Sequence, residues 1–211
     1  MVRKTIFTRQ DVVLAGMTVV AAEGLTGLSA RRVAEQLGAS TAPVYSNFAN
    51  MDELAVAVKQ AVTEEMLEFT TRRFTDDEFL NIGIGVLEYA RQKPTLYGSI
   101  FLQDANQCEA GPRVLSHLAE RMASLDGLGG LPLPERLMLL HQMAIFTHGL
   151  AVQVCTGLAE HHTFDDLILF LQDAGEAMTR HALSRPERSA AQVALMQSLI
   201  DFNARDNEGN D

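Results

Sequence analysis

Apolar residues recur along most of this chain at intervals of three and four, the period of a helix with one buried face. Val13, Met17, Val20 and Ala21 share one face of a segment that opens at Thr8, placed to cap backbone N–H groups, and stops at Gly24. A second helix follows Ser29 and runs from Ala30 to Leu37, where Gly38 ends it. Ser40 is placed to cap a short third helix over 41–48, with Pro43 in the first turn, where its missing N–H is not needed. Asp52 is read as the cap of a long fourth helix reaching about Arg73. Further helices are expected over about 76–93, stopped by Pro94, and over 95–103 and 113–125. The Gly- and Pro-rich stretch 126–134 reads as a loop. Two long helices follow, 135–158 and 164–183, the second capped by Thr163 with Asp165 and Asp166 in its first turn. A last helix is expected over 187–202, and the polar tail 203–211 is expected to fray. Strand patterns are scarce, so the fold class is all-α.

Composition narrows the class. The 211 residues are 47% hydrophobic and 21% charged, which excludes disorder of the whole chain. Two cysteines, Cys108 and Cys155, without a CxxC exclude a disulfide scaffold and a four-cysteine zinc site. Polar residues break the apolar runs before a span of ~18 positions. The first residues lead into a polar segment without a signal-peptide core. A cytoplasmic protein with no membrane partner is the expectation. The net charge of -10 argues against nucleic acid until its distribution is examined. Residues 1–50 carry Arg3, Lys4, Arg9, Arg31 and Arg32 against Asp11, Glu23 and Glu35, a balance of +2; the rest of the chain carries -12. A mildly basic head precedes an acidic body.

Three short helices in the first 50 residues, two of them joined by Gly38-Ala39-Ser40, suggest a helix-turn-helix. Gly38 permits a left-handed turn. Val33, Ala34 and Leu37 would pack the first helix of the pair inward, and Val44 and Phe48 the second. The other face of the second helix then holds Thr41, Ala42, Pro43, Tyr45, Ser46 and Asn47. Small residues at its N-terminal end suit a major groove. The Tyr45 and Ser46 hydroxyls suit phosphates, and Ser29, Ser40, Arg31, Arg32 and the Arg3-Lys4 arm complete the candidate DNA surface. Solvated surface charge and an ordinary first helical turn are the plainer readings of the same residues.

Thr8-x-x-Asp11-Val12-Val13, Ala22-Glu23-Gly24-Leu25, the run Leu28 to Ser40, and Val44-Tyr45-Ser46-Asn47-Phe48-Ala49-Asn50-Met51-Asp52-Glu53-Leu54 together resemble the DNA-binding domain of TetR-family regulators. The resemblance covers about residues 8–55. It implies an all-helical dimer with a DNA-binding head, 1–52, and a body, 53–211, that dimerises and binds a small-molecule inducer which releases the operator. Met51 stands where the family usually has a phosphate-reaching Lys, which implies one fewer phosphate contact per head. In the body, Phe146-Thr147-His148-Gly149-Leu150 resembles a Trp-His-Gly signature of some members, without the Trp.

Candidates for an apolar effector pocket are Ile82, Leu87, Tyr97, Phe101, Met122, Met138, Met143, Phe146 and His148, each of which also fits an ordinary core. No Arg/Lys cluster accompanies them, which disfavours a strongly anionic ligand. Two apolar rows on the long helices, Leu137, Leu140, Ala144, Ala151 and Val154 with Leu167, Phe170, Leu171, Ala174 and Met178, fit a four-helix dimer interface or a single internal core. Two heads would then lie roughly 34–36 Å apart or slightly more. Six histidines lack a ligand spacing for a metal, and no cofactor motif occurs. No catalytic constellation is found, so an enzyme is disfavoured. The leading reading is a ligand-responsive repressor bound to a palindromic double-stranded operator. A helical protein-interaction adaptor without sequence-specific DNA binding is the alternative.

Overall fold

The computed structural model describes residues 7–102, 110–158, 161–184 and 187–208, and among them every regular element is a helix. The order is α1 (Arg9–Glu23), a 3-10 turn (Leu25–Gly27), α2 (Ala30–Leu37), α3 (Ala42–Asn47), α4 (Met51–Thr70), α5 (Glu78–Gln92), α6 (Pro94–Phe101), α7 (Ala110–Met122), α8 (Leu133–Thr156), α9 (Phe164–Leu183) and α10 (Ala190–Glu208). The all-α class stands.

Local chemistry sets the helix ends. Thr8 and Asp11 form a capping box, Oγ1 accepting from Asp11 N–H at 3.2 Å and Oδ2 accepting from Thr8 N–H at 2.8 Å. Thr163 and Asp166 repeat it at the start of α9. Gly38 turns between α2 and α3 at φ 62, a left-handed conformation that a side chain would strain. The cap of α4 is Asn50 rather than Asp52: Asn50 is extended, and its Oδ1 accepts from Glu53 N–H at 2.8 Å. Asp52 sits one residue inside the helix, where the N-terminal dipole favours a carboxylate. α8 starts at Leu133 with Pro134 in its first turn, two residues before the expected start. α10 continues to Glu208, through much of the stretch expected to fray.

α1, α2 and α3 close around Val12, Val20, Val33, Val44 and Phe48, all buried. α4 leaves this head with Leu54 and Val58 buried near α1 and enters the body with Val62, Met66 and Phe69 buried there. The 52/53 boundary therefore falls in the first turn of α4, and one apolar core runs through both parts. In the body α5 and α8 lie innermost, α5 against α4, α6, α8 and α9, and α8 against α5, α6, α7, α9 and α10. Gly85 allows α5 to approach α4 closely, for a Cβ there would lie 2.4 Å from the Phe69 carbonyl oxygen. α8 is long and apolar enough to cross a membrane by length and composition, with a mean hydropathy of 1.3. It packs against five other helices of the chain.

Candidate nucleic-acid head and ligand cavity

α3 is anchored by two side chains and bare elsewhere. Val44 and Phe48 are buried, whereas Ser40, Thr41, Ala42, Tyr45 and Ser46 are exposed and Pro43 is half-buried. Tyr45 is 57% exposed, although it is the largest side chain on the helix. More than half of the residue is left in water, where a partner can reach it. Ser29 is occupied as the cap of α2, accepting from Arg32 N–H at 3.4 Å. Asn47 turns inward, its amide donating to the Pro43 carbonyl at 2.8 Å and the Phe7 carbonyl at 3.3 Å. That side chain ties the entry to α1 against α3 and is not spare for a base edge; on the same face the Ser46 hydroxyl donates to the Pro43 carbonyl at 3.1 Å and Ser40 Oγ accepts from Ala42 N–H at 3.4 Å. Arg3 and Lys4 lie outside the described residues.

Arg9, counted in the charge of the head but given no role by the sequence, is a structural residue there. Its guanidinium donates to the Asn47 carbonyl at 2.7 Å, pairs with Glu53 at 2.9 Å and lies 4.0 Å over the Phe48 ring centroid. It thus joins the start of α1, the end of α3 and the start of α4. Glu53 also accepts from Ala49 N–H at 2.7 Å, and these bonds hold its carboxyl below the ordinary range. Arg31 pairs with Glu35 at 3.0 Å, and Arg32 lies 3.4 Å from Glu23 and 3.5 Å from Glu35. Every described arginine of the head is therefore neutralised by a carboxylate. Met51 is half-buried and packs against the core, so a cation is replaced there by packing.

The body holds a cavity of about 640 Å³, open to solvent on one side, between α4, α5, α6, α7, α8 and α9. Five expected residues line it: Ile82, Tyr97, Phe101, Met143 and His148. Four do not. Leu87, Met122 and Met138 are buried in the core away from it, and Phe146 points to a shallow groove on the outer side of α8 with Ile145, Ala177 and Met178. On α8, Met143 and Thr147 turn inward while Phe146 does not, because neighbouring positions are about a third of a turn apart. The wall also includes Met66, Phe79, Leu80, Val86, Leu115, Leu118 and Leu128. Phe79, Leu80, Ile82, Gly83 and Val86 share one helical face, a period legible in α5.

Tyr97 and His148 form the hydrogen-bonded pair of the wall, which also has Thr147, Gln172 and Thr179 and the charged Asp77, Asp126, Glu176 and Arg180. The Tyr97 hydroxyl lies 2.9 Å from His148 Nδ1. Burial pushes the Tyr97 phenol well above its ordinary range and the His148 imidazole below 6.5, so both are neutral at pH 7. Cys155 is half-buried with its thiol pushed up to about 11 by burial, so it is not a reactive thiolate. Cys108 lies outside the described residues. Among the described residues no group of histidine, cysteine and carboxylate side chains is gathered to hold a metal.

The rows proposed for a dimer interface separate. Leu137, Leu140, Ala151, Leu167 and Leu171 are buried in the chain's own core, with Leu140 and Leu171 in the cavity wall, so a second copy cannot reach them. Ala144 also borders the cavity, and Val154 packs against the core. Phe170 is 44% exposed, and Ala174 and Met178 are half-buried. The outward face of α8 and α9 is instead Ile145, Phe146, Leu169, Phe170, Ala177 and Met178, with Ile145 at 67% and Leu169 at 60% exposure. Both faces of these helices are apolar, and the pattern alone did not say which one the chain covers itself.

Among solved structures the chain is similar to a transcriptional regulator of Streptomyces coelicolor, a TetR, with 16% identity and a TM-score of 0.56. The match covers 94% of this chain and 98% of that one. The fold is thus that of a TetR regulator, from head to α10. No protein-family model matches the sequence, and no curated protein matches it.

Proposed function

We propose that this protein is a DNA-binding transcriptional regulator whose affinity for its operator is set by a small molecule in the body cavity. One observation carries the reading: α3 is held by buried Val44 and Phe48 while Thr41, Ala42, Tyr45 and Ser46 stand bare on a two-helix unit turned by Gly38. Small side chains at the leading end let a helix enter a major groove, and hydroxyls position it on phosphates. The fold shared with the Streptomyces regulator supports this reading. Arg31 and Arg32 would reach phosphates by exchanging their carboxylate partners. Ser29, Ser40 and Pro43 border the same face, and Arg3 and Lys4 precede it in sequence.

The effector site is the cavity. α4 brings Met66 to its wall, and α6 brings Tyr97 and Phe101. α1 touches both helices. A ligand that prefers one arrangement of α4 and α6 shifts the heads with it. Two copies pair through the outer face of α8 and α9, where Phe146, Phe170 and Met178 would be buried. Repression relieved by ligand is the mode proposed, and the protein acts without catalysis or cofactor, in the cytoplasm and away from membranes.

The test is binding of the purified protein to fragments of the DNA upstream of its own gene, followed by a genome-wide selection of bound fragments, over a range of salt. Saturable binding to a palindrome that weakens with salt supports the reading. Binding indifferent to sequence in both formats leaves the helical adaptor as the better description.

A further inference from the structure

We infer that the effector is a non-anionic, mainly apolar molecule that presents one hydrogen-bond acceptor, such as a ketone or ether oxygen, to the Tyr97–His148 pair. The inference rests on the cavity being the effector site and names the chemistry that site selects.

Proton counting gives the acceptor. Neutral tyrosine and neutral histidine bring one O–H and one ring N–H. Their mutual contact at 2.9 Å uses one of these two hydrogens. If the phenol donates to Nδ1, the imidazole keeps Nε2–H; if Nδ1–H donates, the phenol keeps its own hydrogen. One donor of the pair is left over in either tautomer, in a mainly apolar wall whose other neutral polar side chains are Thr147, Gln172 and Thr179. Leaving such a donor unanswered beside a dry ligand costs binding, so an acceptor in the ligand is selected.

Charge gives the rest. Neither member of the pair is ionised at pH 7, so the pair offers an ionic ligand group no opposite charge. The charged residues on the cavity's border are Asp77, Asp126 and Glu176 against Arg180, which disfavours anions. A volume of about 640 Å³ suits a drug-sized molecule.

The test uses the full chain and needs no DNA. The neutral fluorophore N-phenyl-1-naphthylamine should bind at least about tenfold more tightly than its sulfonated counterpart 1-anilinonaphthalene-8-sulfonate. Displacement of the neutral probe then compares 2-hexanoylnaphthalene with 2-hexylnaphthalene. The ketone-to-hydrocarbon affinity ratio should fall about three- to tenfold in the Tyr97→Phe, His148→Phe double variant, which removes both donors. Retained binding of the neutral probe shows that the variant keeps its cavity. The carbonyl stretch of the ketone bound to the unaltered protein gives a second measure: it should lie below its value in hexane, and return toward it in the double variant. A hexane-like stretch in the unaltered protein overturns the inference, as does equal binding of the sulfonate or an unchanged affinity ratio. No binding by either neutral compound overturns it together with the effector site. Failure of DNA binding alone defeats the regulator reading and leaves this result standing.

Discussion

Tyr45 shows what a single residue can decide in this molecule. It is the most exposed aromatic ring described on the head, on a helix whose other large side chains, Val44 and Phe48, are buried. Removing it should therefore separate stability from binding. Tyr45→Ala is expected to leave the unfolding midpoint within about 0.5 kcal/mol of the parent, as for other surface substitutions. Operator affinity is expected to fall about tenfold or more, the worth of one hydrogen bond to a charged phosphate. Fluorescence anisotropy with an operator duplex, beside a denaturant titration, reads both. A loss of stability with unchanged affinity would place the ring in packing instead. Arg9 is the converse case, a charged residue at the head whose hydrogen bond, ion pair and ring contact are all spent inside the fold.

Elements were legible in the sequence at most points where punctuation was local, although α3 starts at Ala42 with Thr41, not Ser40, at its N-cap and without a side-chain cap bond. Thr8, Ser29 and Thr163 cap as their type and position imply, and Gly38 makes the left-handed turn. The start of α4 was misplaced by two residues because Asn50 and Asp52 both satisfy the capping pattern, and only backbone conformation distinguishes them. The cavity was half legible for a different reason. Periodicity marks an apolar face but not what lies opposite, so Ile82 and Met143 met empty space while Leu87 and Met138 met other side chains. Two predictions belong to this scale. Asn50→Ala should cost about 1 kcal/mol through loss of the α4 cap, measured by chemical denaturation, whereas Asp52→Ala should cost less. Gly85→Ala should cost more than either, about 1–3 kcal/mol, because the backbone of α4 blocks the new methyl group and cannot swing aside as a side chain would. A neutral Gly85→Ala in thermal unfolding would mean that α4 and α5 are not in close contact there.

For the molecule as a whole, the cavity polar pair links stability to pH. The folded-state pKa of His148 is lowered by burial, from an ordinary value of 6.5. Above that value the imidazole is neutral in both the folded and the unfolded chain, and stability does not depend on it. As pH falls through 6.5 the unfolded chain takes up a proton that the folded chain refuses, so stability declines until the folded pKa is reached. The carboxylates act later and in the same direction. Glu88 is held below 4.5 chiefly by Arg91, and Asp11 and Asp166 below 3.8 by Thr8 and Thr163. Their folded-state pKa values are depressed, so their contribution is present above the unfolded values and is lost as pH falls through the folded ones. The expected profile of denaturation midpoint against pH therefore has an upper decline beginning near 6.5 and a lower one beginning near 4.5. His148→Gln keeps a hydrogen-bonding partner for Tyr97 but does not titrate, so it should diminish the upper decline and leave the lower one. If the variant and the parent fall together between pH 7.5 and 5.5, roughly one unit either side of the ordinary value, the proton linkage does not lie with the cavity pair.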